Sequence, residues 1–192
     1  NDPYINGAVI AYPFSWFEAS YHYTDINNAL YSDSPDFSGN QTYKDKGFDA
    51  KFRLFKETSL TPQIAVGARD IAGTSVFTAE YLVMSKRFKN IDFSFGIGWG
   101  TLSGNKIKNP LTYISDAYKE RIDIDGDTQG GEVNFGKLFK GDAGYFGGLE
   151  IAIPNSRGLR MKIEYDGTDY MKEGFPLGSC LLYTSDAADD IP

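Results

Sequence analysis

The sequence predicts an all-β chain whose strands run as an antiparallel up-and-down meander and form part of a transmembrane β-barrel. Two observations carry this. Several segments alternate strictly between large apolar residues and small or polar ones, and the links between them are alternately short and long. Composition agrees: aromatic residues make up 15% of the 192 residues, with 14 Phe, 13 Tyr and 2 Trp. That is far too much ring surface for a disordered chain, and it leans toward strands.

Along the chain, Phe17, Ala19, Tyr21 and Tyr23 alternate with Glu18, Ser20, His22 and Thr24. Phe48, Ala50, Phe52 and Leu54 alternate with Asp49, Lys51 and Arg53. The clearest run is 91–100, where Ile91, Phe93, Phe95, Ile97 and Trp99 occupy every odd position and Asp92, Ser94, Gly96, Gly98 and Gly100 every even one. Leu159, Met161, Ile163 and Tyr165 repeat the pattern against Arg160, Lys162, Glu164 and Asp166. Because side chains in a strand point to opposite faces in turn, each segment has one apolar and one polar face.

Weaker candidates at 5–12, 62–70, 78–88, 131–139 and 145–153 bring the count to about nine strands, each near the ~9–11 residues of a tilted spanning strand. Short links fall at Pro13-Phe14-Ser15, Glu57-Thr58-Ser59-Leu60 and Phe88-Lys89-Asn90, and long polar links at 26–46 and 102–129. Turns at one rim and loops at the other describe a meander. An odd strand number suggests an incomplete barrel.

Period two alone also fits a soluble β-sandwich, whose apolar face points into a core between two sheets. Three features favour the membrane version. The apolar face is aromatic toward the strand ends (Trp16, Phe17, Tyr21, Tyr23, Trp99), as interfacial girdles require. The other face mixes both charges with glycine, and the long loops gather at one inferred rim.

The charge balance, 19 basic against 26 acidic residues for a net −7, argues against nucleic acid, whose affinity rests on neutralising phosphates. No stretch approaches the ~20 apolar residues of a spanning helix. The run from Cys180 to Asp190 matches nothing before it and resembles a translated sequencing adapter, so residues 180–192 are expected to be non-native and 1–179 to form the partial barrel domain. Setting the tail aside removes Asp186, Asp189 and Asp190, leaving a net −4 and no cysteine. Without cysteine there is no disulfide, thiolate metal site or cysteine nucleophile.

Chemistry-bearing motifs are sparse. His22 is the only histidine and sits in a strand pattern, where a structural or lumen-facing role is expected. Glu80, Glu150 and Glu164 lie in strand-like segments and would be the carboxylates of a polysaccharide-modifying enzyme. Asp123-Ile124-Asp125-Gly126-Asp127 has the acidity of a calcium loop, but its Gly stands fourth and Asn134 occupies position twelve, so a solvated loop is expected. The glycines from Gly96 to Gly100 lie within a strand and are not expected to form a phosphate loop. No cofactor or metal is expected. The expected working surface is the polar face itself: Asp49, Lys51, Arg53, Arg69, Glu80, Lys86, Arg160, Lys162 and Glu164, as ion pairs bracing a lumen or as contacts to sugar hydroxyls.

Several segments together resemble the YjbH family: Tyr23–Ile26, Tyr43–Asp49, Ala65–Thr74, Glu80–Arg87, Asp92–Gly100, Phe146–Glu150 and Lys162–Tyr170, in order from about residue 5 to 175. The stretch 102–129 departs most from the family pattern. The resemblance implies an outer-membrane β-barrel of a Gram-negative bacterium that acts in exopolysaccharide biosynthesis or export. It also implies a longer parent, of which this is an N-terminal part. It supplies no catalytic residues. The expected partners are outer-membrane lipid, the exopolysaccharide and other polysaccharide-export proteins. A non-catalytic role is expected, with a carboxylate-pair enzyme or a soluble carbohydrate-binding sandwich as alternatives.

Overall fold

A computed structural model of the chain describes residues 4–32, 34–74, 77–121 and 135–169. The strands are β1 (Tyr4–Phe14), β2 (Phe17–Leu30), β3 (Thr42–Phe55), β4 (Gln63–Arg69), β5 (Ala79–Phe88), β6 (Ile91–Gly100), β7 (Ala143–Ala152) and β8 (Arg160–Tyr165). They form one sheet in the order of the chain, every neighbour antiparallel. The all-β meander is therefore present, as an open sheet with eight described strands.

Short connections hold one rim. Phe14 pairs with Phe17, and Phe88 with Ile91 across a two-residue turn in which Lys89 adopts φ 55°. The other rim carries the longer links between β2 and β3, β4 and β5, and β6 and β7. The link expected over 26–46 is shorter than the hydropathy pattern suggests, because β2 runs to Leu30 and β3 starts at Thr42. Asp25 there accepts from the Thr42 hydroxyl and pairs with Lys44, and Tyr31 stacks on Tyr43 at 6.1 Å. Polar cross-strand pairs sustain a ladder as apolar ones do, and they leave no mark in an apolar alternation.

The segment expected as a strand at 131–139 is corrected where it is described. Phe135–Lys137 forms a 3-10 turn, and the backbone N–H of Phe139 donates to the Glu80 carboxylate, at 3.0 Å, instead of to a ladder. The rest of the 100–143 connection contains 3-10 turns at Pro110–Tyr113 and Asp116–Tyr118, gathered by Asn109, whose amide donates to the carbonyls of Tyr118 and Phe139.

Register sorts the side chains into two faces. Phe17, Tyr21, Phe48, Phe52, Val66, Leu82, Met84, Phe95, Ile97, Leu149 and Ile163 share one. Glu18, Ser20, His22, Asp45, Asp49, Lys51, Arg53, Arg69, Tyr81, Ser94, Glu150 and Lys162 share the other. No second sheet covers the apolar face among the described residues, and Phe48, Leu82, Phe93 and Ile163 stand 52%, 42%, 43% and 58% exposed on it. Buried apolar side chains are few: Ile26, Ala65, Ala79, Trp99, Leu102 and Ala143. Trp99, expected among the interfacial rings, is covered instead, with Phe139 edge-on at 5.2 Å.

Candidate functional site: the polar face of the sheet

On the polar face, opposite charges meet across the strands. Lys51 of β3 faces Glu18 of β2 at 3.7 Å. Arg87 of β5 grips Asp92 of β6 with two hydrogen bonds of 2.8 and 2.6 Å. Glu150 of β7 holds both Arg160 and Lys162 of β8, and Lys162 also reaches Glu164 at 4.0 Å. Lys51 with Glu18, Arg87 with Asp92 and Lys162 with Glu150 stand directly opposite in their ladders, where Cβ atoms are neighbours, while Arg160 reaches Glu150 diagonally and Glu164 is the next residue on the same face of β8.

The face is not flat. A hollow of about 480 Å³ lies over β6 to β8, lined by residues including Asp92, Glu150, Lys162, Glu164 and Phe146. A second, of about 240 Å³, lies over β2 to β5, lined by Glu18, Asp49, Lys51, Arg69 and Tyr81 among others. Tyr81 and Phe146 stand between the hollows, edge to face at 6.3 Å. Each ring lies against a glycine of the next strand. A Cβ on Gly67 would come within 2.4 Å of the Tyr81 ring, and one on Gly96 within 2.3 Å of the Phe146 ring. Glycine in a strand thus leaves room for a neighbour's ring to press against the sheet backbone.

The loop rim of the larger hollow is closed by the chain leaving β6. Leu102 packs over Gly98, and the Asn105 side chain pairs with both backbone groups of Tyr145 at 2.9 Å each, in place of a strand residue.

A buried polar knot lies beside the smaller hollow. His22 Nε2 is 3.3 Å from Asp45 Oδ2, and Nδ1 is 3.4 Å from Asp49 Oδ1. Asp45 is fully buried and also accepts from the Thr74 hydroxyl. Asp70 donates its N–H to Asp49 at 2.9 Å and accepts from the Phe77 N–H at 3.1 Å. The knot pins the β4–β5 link onto β3. Among the described residues no group of three His, Cys, Asp or Glu side chains is arranged to hold a metal ion. The acidic run Asp123–Asp127 and the tail 180–192 lie outside the described residues.

Seven of the nine expected site residues, Asp49, Lys51, Arg53, Arg69, Arg160, Lys162 and Glu164, are on this face by register. Glu80 and Lys86 are on the other, opposite Trp99 and Phe93. In the run 79–88 both parities carry apolar residues, Tyr81 and Val83 on one and Leu82 and Met84 on the other, so the sequence does not reveal which is outward. Each misplaced charge is hidden. Arg121 and the Phe139 N–H meet Glu80, while Lys86 donates to the carbonyls of Thr58, Ser59 and Thr61 and faces Glu57 at 3.3 Å. Glu80 therefore cannot join Glu150 and Glu164, which line one hollow. Asp45, Asp70, Tyr81 and Phe146 were not among the expected site residues. The glycines at 67 and 96 are the signal that could have located the two rings.

The family model described as "Exopolysaccharide biosynthesis protein YbjH", YjbH, matches residues 1–179. The chain belongs to the YjbH family. It is 46% identical over 175 residues to the "Uncharacterized lipoprotein YjbH" of Escherichia coli (strain K12), a match covering 90% of this chain and 24% of that protein. The chain thus spans about a quarter of the length of the curated relative it matches. No solved structure matches it. The segments that carry the YjbH resemblance contain Asp45, Asp49, Asp70 and Glu80, the acids of the knot and of the buried pair.

Proposed function

We propose that the chain is part of an outer-membrane β-barrel of a Gram-negative bacterium that assists exopolysaccharide biosynthesis or export without catalysing a reaction. One observation carries the membrane reading: among the described residues the apolar face, from Val9 of β1 to Ile163 of β8, lies uncovered between its rims, while the opposite face is paired, charged and hollowed. A continuous exposed apolar surface of this kind suits lipid and not water. The lipoprotein title of the E. coli relative supports an envelope location, and the family description supports the link to exopolysaccharide.

On this reading the polymer passes along the polar face through many weak contacts, with hydroxyls meeting the ion-paired rows and sugar rings meeting Tyr81 and Phe146. Weak repeated contacts suit export, since a tight site would hold the chain in place. The partners are the polymer, outer-membrane lipid and other export proteins.

The test is to replace Glu150 and Glu164 together with Gln in the full-length protein and to measure both the amount and the structure of the secreted polymer. Reduced secretion of a chemically unchanged polymer supports guidance. Normal secretion of a polymer with altered linkages or substituents points to a carboxylate-pair enzyme. A full-length protein that stays in aqueous solution without detergent removes the barrel altogether.

A further inference from the structure

The cations of the polar face are not equally matched. Lys51 has Glu18, Arg87 has Asp92, and Arg160 and Lys162 share Glu150. Arg53 and Arg69 make no side-chain hydrogen bond or ion pair among the described residues. The carboxylates near Arg69 are already engaged: Glu18 with Lys51, and Asp49 with the Ser20 hydroxyl, His22 and the Asp70 N–H. Arg53 and Arg69 are therefore the cations of β3 and β4 on this face that no carboxylate contacts among the described residues. Arg53 faces Ala65 across the ladder and Arg69 lies four residues further along β4, so the column Arg53, Lys51, Arg69 extends roughly 13 Å at ~3.3 Å per residue.

We propose that this column is a binding track for a carboxylate-bearing polysaccharide, so that the polymer this protein handles is anionic. The inference rests on the polymer-guiding reading above and names its substrate class. A guanidinium that no carboxylate grips among the described residues presents a planar fork of donors that matches a carboxylate. Tyr81 walls the hollow beside Lys51 and Arg69, offering a ring against which a sugar face can lie while its carboxylate reaches Arg69. A neutral polymer gains only ordinary hydroxyl hydrogen bonds from these two cations, without the charge assistance that a carboxylate adds. The column is long enough to engage several consecutive sugar units.

The experiment uses the full-length protein in detergent micelles and two probes, polygalacturonate and neutral dextran, with binding read by affinity electrophoresis. Wild type is expected to bind polygalacturonate, with affinity falling as sodium chloride is raised, and to bind dextran far more weakly. Arg53→Gln and Arg69→Gln are each expected to weaken polygalacturonate binding about tenfold, roughly the loss of one charged hydrogen bond, and to leave dextran unaffected. Arg53→Lys and Arg69→Lys keep the charge but lose the planar fork, so their affinity should fall between wild type and the Gln variants, which separates lost charge from lost folding. Equal affinity of wild type for both polymers overturns the anionic preference and leaves polymer guidance standing. Binding of neither polymer overturns both. Undiminished polygalacturonate binding by the Gln variants removes the column as the track.

Discussion

Glu80 and Arg121, separated by 41 residues in the chain, meet in a two-pronged ion pair with hydrogen bonds of 2.7 and 3.0 Å, and the Glu80 side chain is completely buried. The pair fastens the long β6–β7 connection to the apolar side of β5. Removing one partner leaves the other charge buried without its counterion. Glu80→Ala is expected to destabilise the fold by about 3 kcal/mol in urea titration, and Arg121→Ala by a similar amount. The double variant should recover part of the loss, and strictly additive costs would show that the two residues do not depend on each other.

Phe95 and Ser94 are adjacent in β6 but lie on opposite faces. Phe95 is opposite Met84 and Gly147, while the Ser94 hydroxyl meets that of Ser85 at 2.8 Å. If the apolar face meets lipid, Phe95→Arg should cost roughly 2–4 kcal/mol in refolding into lipid vesicles, and Ser94→Arg much less. Equal tolerance of the two substitutions would contradict the facing of the sheet.

The His22 ring lies between Asp45 and Asp49, 3.3 Å from one carboxylate and 3.4 Å from the other. His22→Ala takes the imidazole away from Asp45 Oδ2, a buried oxygen that accepts no hydrogen bond among the described residues, and leaves that carboxylate with the Thr74 hydroxyl on its other oxygen. The expected cost is about 1–3 kcal/mol, the range for a buried polar group that loses its partner. A lowered thermal midpoint that is restored in part by Asp45→Asn would identify the stranded carboxylate as its source.

Gly73 tests the same knot from the loop side. A Cβ there would fall 1.8 Å from the Lys46 carbonyl oxygen and 2.8 Å from the Gly47 Cα, both backbone atoms with little freedom to yield. Gly73→Ala is expected to lose about 2 kcal/mol or more. It should also expose the 70–74 amides to hydrogen exchange while β6 and β7 remain protected.

Glu57 sits in the β3–β4 turn. The Arg87 backbone N–H holds its carboxyl below the ordinary value of 4.5, with Lys86 helping, against partial desolvation that acts the other way. A depressed carboxylate stabilises the fold fully above its unfolded pKa, and the contribution disappears as pH falls through the lower folded value. Glu57→Gln should therefore reduce stability near neutrality and flatten the decline of stability on the acid side of pH 4.5. An unchanged slope below that pH would show that the turn does not depend on this carboxylate.

What was legible in the sequence is the two-sidedness of the strands. In β2, β3, β6 and β8, apolar residues alternate with polar ones or glycine over long runs, and parity alone places Lys51, Arg53, Lys162 and Glu164 on the polar face. The ion pairs of that face were legible only as a mixture of charges, because which acid meets which base depends on register between strands. In β5 the alternation failed, since apolar residues occupy both parities.

The sequence by itself determined a β meander with one greasy and one polar side, because a period of two follows from backbone geometry and needs no knowledge of neighbours. Only the tertiary structure decided where charge is concealed. Glu80 and Lys86 occupy the apolar face because segments distant in the chain, Arg121 with Phe139 and the Thr58–Thr61 turn, fold over them. It also decided that His22 lies between two aspartates and that Arg53 and Arg69 lack carboxylate partners among the described residues, since both depend on distances between strands that no single strand encodes.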